Sequence, residues 1–253
     1  ACNANDSVCG ARENVLRNLT KTIHNMKRTM ISWIMAMFAI TMCAQRDVTT
    51  FLGIPVDGYK SEMKRKLIAK GYVPKKVGTD EYLEGEFNGE KVHIYIATNN
   101  NKVYRIYLCD ENTRSEADIK IRFNNLVSQF KNNKRYMSLE DYTLSESEDI
   151  SYEMKVHNKT YDAHFYQKPD MEKLDTLALQ MQVRDEILQK YTPEQLENPT
   201  EEINEEARHI AMRLGVDIVF KKPVWFRICE HYGEYYIAMF YDNEYNHANG
   251  EDL

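Results

Sequence analysis

Cysteine is scarce in this chain and never falls in a metal-binding pattern. Of five cysteines, Cys2, Cys9 and Cys43 lie in the first 44 residues, and no two are spaced as CxxC. Cysteine-based structural zinc sites use such spacing, so no metal is expected. Cys109 and Cys229 permit one disulfide in an oxidising compartment, and spacing alone leaves that pairing open. A glycine-rich phosphate loop, GxSxG, HExxH and a kinase-like set are all missing, so no cofactor is expected and the enzyme classes built on those motifs drop out. A long Lys/Arg stripe is missing too. Formal net charge is −6, from 33 basic and 39 acidic residues. Arg12, Arg17, Lys21, Lys27, Arg28, Asp6 and Glu13 all precede Gln45, which leaves 28 basic against 37 acidic residues beyond it, or −9. An acidic domain of that kind excludes nucleic acid as the expected partner.

Only one long hydrophobic run exists, residues 30–40 (MISWIMAMFAI). It is shorter than the roughly 20 residues that cross a bilayer, and about the length of a signal-peptide core. Met26-Lys27-Arg28 precedes it as a basic n-region, and Ala44 follows as a cleavage residue before Gln45. Residues 26–44 therefore read as a signal peptide, and residues 1–25 as an upstream leader or an over-long gene model. Cys43 raises a second reading, acylation as a lipoprotein, against which bulky Met42 stands. The mature chain is expected in the periplasm or on the outer surface of a Gram-negative cell, with no transmembrane span.

From Gln45 the pattern is α+β, with antiparallel β-meander sheet or sheets and helices packed on one side. Residues 45–136 read helix, meander, helix. Met63, Leu67 and Ile68 recur at helical spacing before Gly71. Residues 80–87 and 91–98 flank Asn88-Gly89, the strongest short hairpin signal, whose register sets Leu83 opposite Ile94, Glu84 opposite His93 and Glu86 opposite Lys91. Asn99-Asn100-Asn101 then turns the chain into residues 102–109. Ser115 caps a helix to about Asn132, with Ile119, Phe123, Leu126, Val127 and Phe130 as its buried stripe.

Residues 137–253 read as a second α+β half. Residues 150–157 and 160–167 are expected to form a hairpin about Asn158-Lys159. A helix over 170–190 would bury Leu174, Leu177, Ala178, Met181 and Leu188. Thr192-Pro193 starts a short helical turn, and Thr200 caps a helix closed by Gly215. The strands over 224–232 and 235–242 meet at Gly233-Glu234, which suits a type II′ turn.

That last hairpin carries the candidate surface. Val224, Phe226, Ile228, Ile237, Met239 and Tyr241 fall on one face. Trp225, Arg227, Tyr236 and Phe240 fall on the other, where flat rings could stack on a ligand and Arg could add directional hydrogen bonds. The simpler reading is a strand covered by helices on both faces. Cys229 and His231 share the second face as a thiol–imidazole pair, but same-face neighbours on a strand are roughly 7 Å apart, long for proton transfer.

Three stretches carry a resemblance: residues 51–58 (FLGIPVDG), the meander around Asn88-Gly89-Glu90 and Asn99-Asn100-Asn101, and the closing hairpin with residues 248–253 (ANGEDL). Together they resemble a group of uncharacterised exported proteins of Bacteroides-type gut bacteria. The resemblance implies an envelope location and brings no activity. Helices followed by a meander also resemble, in topology alone, small domains of the outer-membrane-assembly lipoprotein and β-lactamase-inhibitor-protein type. The expected function is non-enzymatic binding of an envelope protein or glycan. The alternatives are an envelope structural domain, or a hydrolase or transferase using Cys229 and His231.

Overall fold

The computed structural model describes residues 46–170, 172 and 175–248. The leader, the signal segment, Cys43, Leu174 and residues 249–253 lie outside them. The described residues of the two expected halves, from Asp47 onward, belong to one α+β unit. The strands are β1 (Thr50–Phe51), β2 (Ile54–Pro55), β3 (Val73–Val77), β4 (Asp80–Phe87), β5 (Glu90–Asn99), β6 (Lys102–Asp110), β7 (Tyr136–Met137), β8 (Asp162–Gln167), β9 (Pro223–His231) and β10 (Glu234–Asp242). The helices are α1 (Lys60–Ala69), α2 (Glu116–Asn132), α3 (Ile150–His157), α4 (Thr176–Ile187), α5 (Pro193–Glu197) and α6 (Glu201–Phe220). β3 to β10 build one antiparallel sheet in the order β3-β4-β5-β6-β10-β9-β8-β7, and β1 and β2 form a separate two-stranded ribbon. Among the described residues, no helix is long and apolar enough to cross a membrane.

Tight turns fix the meander. Asn88 and Gly89 both have positive φ, as do Asn100 and Asn101, which is the type I′ geometry whose twist matches the strands it joins. The register at Asn88-Gly89 is the expected one, with Leu83 paired to Ile94, Glu84 to His93 and Glu86 to Lys91. β6 then pairs with β10, so the last hairpin joins the meander directly. Strand alternation gives the sheet a fully buried face: Leu83, Ile94, Ile106, Leu108, Met239, Phe226 and Phe165 lie there in one core. α1 adds Met63 and Leu67, and α2 adds the whole expected stripe from Ile119 to Phe130. Ser115 caps α2 as its sequence indicates.

Four expectations are corrected. Residues 150–157 are helix α3, not a strand: Asp149 accepts a hydrogen bond from the Tyr152 N–H at 2.8 Å, and Asn158 ends the helix in the left-handed conformation. The alternation of Ile150, Tyr152, Met154 and Val156 suits a strand. What decides is the i,i+4 pair Ile150 and Met154, which packs on the core. Asn158 closes a helix as readily as it opens a turn. In α4 the buried side is Ile187 with half-buried Val183, while Leu177 and Met181 point to solvent. α6 runs through Gly215 to Phe220, so Gly215 is a helix-interior residue. α4 and α6 share a small separate core of Ile187, Ile203 and Ile210.

The last turn is centred on Tyr232 and Gly233, both with positive φ, so it is type I′ and not type II′. His231 pairs with Glu234 and Trp225 with Phe240. The shift from the expected turn moves the register by two residues, and an even shift leaves every side chain on its expected face.

Candidate functional site

The second face of the sheet is the open one. Its side chains alternate with the core residues and are half-buried against one another, strand after strand. Trp225 pairs across to Phe240 on one side and to His164 on the other; Phe240 pairs to Tyr107, and Tyr107 to Tyr95. With Tyr82 of β4 beyond Tyr95, six rings form a row across six strands. Ring centroids are 5.7 Å apart for Tyr82 and Tyr95, 4.7 Å for Tyr95 and Tyr107, 5.9 Å for Tyr107 and Phe240, 4.0 Å for Phe240 and Trp225, and 5.6 Å for Trp225 and His164.

The planes of Tyr95 and Tyr107 are 7° apart, and those of Trp225 and Phe240 are 15° apart. At such separations near-parallel rings must lie face to face, because coplanar rings would collide. Ring faces are therefore spent on one another and ring edges point outward. Flat stacking of a ligand on these central rings, as the sequence suggested, meets no free face there.

Charge on this face is internally matched. Arg105 donates to both oxygens of Asp242 at 2.6 and 2.8 Å, and Trp225 Nε1 donates to the same carboxylate at 2.9 Å. Arg227 donates to both oxygens of Asp162 at 2.8 and 3.1 Å. Both guanidiniums lie over the Trp225 ring, at 5.6 and 5.0 Å from its centroid. Arg227 is thus an ion-paired flank of the row, its fork already used by Asp162. Beside the row runs a groove of ≈ 720 Å³ lined by Asp80, Tyr95, Tyr107, Cys109 and Tyr236 among others.

Cys229 and His231 make separate contacts. The Cys229 thiol is raised by burial, and its side-chain hydrogen bond is with Tyr236. His231 is exposed, with its ring at 4.5 Å from that of Tyr232. Burial pushes the Cys109 thiol up to about 12 and the Tyr236 phenol up to about 12, so both stay protonated at neutral pH. Cys109 and Cys229 are free. β10 lies between their strands, so two strand spacings, roughly 10 Å, separate them, beyond disulfide reach.

Tyr82, Tyr95, Tyr107 and His164 are members of the row that sequence reasoning missed. The hairpin register hinted at the first two, since Leu83 opposite Ile94 places Tyr82 beside Tyr95. His164 was assigned to a hairpin that does not form. Among the described residues, two groups could hold a metal ion: Glu84, His93 and Glu111 on the open face, and Asp242 at the end of β10 with Glu244 and His247 after it. Behind the sheet, a cleft of ≈ 300 Å³ runs between α2 and the β4–β5 turn, lined by Phe87, Leu126, Phe130 and Tyr136 together with Glu86 and Gln129. No protein-family model, no curated protein and no solved structure matches the chain.

Proposed function

We propose that this is an exported, non-enzymatic binding protein of a Gram-negative envelope, and that the open face of its sheet docks a protein partner. The row of six half-buried rings carries this reading. A soluble domain gains little by keeping that much aromatic surface at the boundary with water, whereas aromatic side chains and Arg are enriched where protein interfaces form. The internally paired charges leave a nearly neutral patch, which costs little to desolvate. A protein partner is favoured over a glycan because sugar stacking needs ring faces, and the central ones are used within the row. Export rests on Met26-Lys27-Arg28 and the apolar run behind them.

A photoreactive amino acid placed at Tyr95 or Tyr107 tests this in envelope fractions of the native host. Ile121, which is 61% exposed on α2, serves as the control position. One discrete protein adduct from positions 95 and 107, and none from 121, is the expected result. Equal labelling from all three positions would remove the open face as the docking surface. Saturable glycan binding lost on Trp225→Ala would replace the protein partner with a sugar.

A further inference from the structure

The tail after β10 is polar and acidic in sequence, yet it is tied down with care. Asn243 is fully buried; its side chain donates to the Val56 carbonyl at 2.7 Å and accepts from the Tyr245 N–H at 3.0 Å. The Asn243 N–H donates to the Tyr104 carbonyl at 2.7 Å. Asn246 donates to Asp57 Oδ1 and to the Val103 carbonyl, both at 2.8 Å, and its own carbonyl accepts from Asn99 at 3.1 Å. These bonds fix a single 3₁₀ turn, Glu244–Asn246, against the ends of β5 and β6.

The fixed turn brings Asp242, Glu244 and His247 together, with one ligand atom of each within 4.8 Å of the others. His247 Nε2 is buried, although the side chain as a whole is 30% exposed, and it has no hydrogen-bond partner; Glu244 Oε1 lies 3.8 Å away, too far to satisfy it. A buried orphan nitrogen costs free energy unless a water or an ion completes it. Asp242 is 3% exposed and is oriented by Arg105 and Trp225. Those three bonds leave acceptor capacity on a carboxylate, which has about four lone-pair positions. Arg105 and Trp225 are thus arranged as outer-shell partners that fix a ligand carboxylate.

We propose that Asp242, Glu244 and His247 form a site for a borderline divalent cation of the Zn²⁺ class. One imidazole nitrogen and two carboxylate oxygens suit such an ion better than Ca²⁺ or Mg²⁺, which prefer oxygen alone. Metal–ligand bonds of about 2.0–2.2 Å require ligand atoms roughly 3.3 Å apart, so the triad closes by at most about 1.5 Å on binding. Half-buried Glu244 can supply that movement by rotating its side chain. The second group, Glu84 with His93 and Glu111, is the weaker site: Glu111 is exposed, and none of its ligand atoms is a buried orphan as His247 Nε2 is.

Calorimetric titration of the chelator-stripped full chain with Zn²⁺ tests the assignment. One equivalent binds in the wild type; His247→Ala and Glu244→Gln each weaken binding at least tenfold, while His93→Ala leaves it unchanged. Both tail positions are half-buried, and unchanged thermal melting of the metal-free variants confirms that they fold. Absence of saturable binding would overturn the site. So would binding that survives His247→Ala but is lost in His93→Ala, which would move the ion to the open face.

Discussion

Two ion pairs of nearly the same geometry lie on opposite faces of this sheet. On the covered face Arg122 of α2 grips Asp110 with two bonds of 2.6 Å, and the Arg122 side chain is 12% exposed. On the open face Arg105 grips Asp242 with bonds of 2.6 and 2.8 Å, and the Arg105 side chain is 25% exposed. The first pair ties a helix to the sheet. The second ties neighbouring strands that are already hydrogen-bonded, and keeps a charge matched beside an aromatic row. The same contrast holds for the rings. Phe226 sits among Phe123, Phe130 and Phe165 in the core, whereas its neighbour Trp225 stacks on Phe240 at the boundary with water. One face packs into the core, and the other orders half-buried rings and paired charges at the boundary with water.

The contrast can be broken by mutation. Phe226→Ala removes a fully buried ring and should cost about 3–5 kcal/mol in denaturant unfolding. Asp110→Asn leaves the mostly buried Arg122 guanidinium with Glu90, 3.5 Å away, as its remaining carboxylate, and should cost about 2–3 kcal/mol. Asp242→Asn leaves Arg105 with partial access to water, so a loss of about 1–2 kcal/mol is expected. Equal losses for the two Asn variants would mean that the open face is as enclosed as the other.

A smaller effect sharpens the comparison through pH. Cys109 and Tyr236, both on the open face, are raised to about 12 from ordinary values of 9.0 and 10.0. Below pH 9 both groups are protonated in the folded and unfolded chain, and their contribution is complete. Between about pH 9 and 12 the unfolded chain releases protons that the folded chain keeps, so stability falls as pH rises. Cys109→Ala should flatten that fall, read as the change in unfolding midpoint between pH 8 and pH 11.

Local features of this fold were legible from sequence. Asn88-Gly89 set a register that the structure keeps, and the 3.6-residue period of Ile119, Phe123, Leu126, Val127 and Phe130 marked the inner side of α2. Burial alternation on the last hairpin placed Trp225, Arg227, Tyr236 and Phe240 on one face even though the turn was misplaced. Long-range pairing was not legible. Tyr107 meets Phe240 only because β6 pairs with β10 across more than a hundred residues, and nothing local encodes that choice. β3 was missed because all five of its residues are exposed, which leaves no alternation to read; Pro74, Lys75 and Lys76 mark it as a protected edge. The tail site escaped because Asn243 and Asn246 look like ordinary turn residues until their distant backbone partners are seen.

The most direct test of the central claim uses two adjacent residues of β5. Ile94 is fully buried on the covered face, and Tyr95 belongs to the open row. Equilibrium unfolding of Ile94→Ala and Tyr95→Ala, measured side by side, should give a loss of about 2–5 kcal/mol for the first and about 1–2 kcal/mol for the second. A Tyr95→Ala loss as large as that of Ile94→Ala would contradict the account, because it would make the open face part of the core.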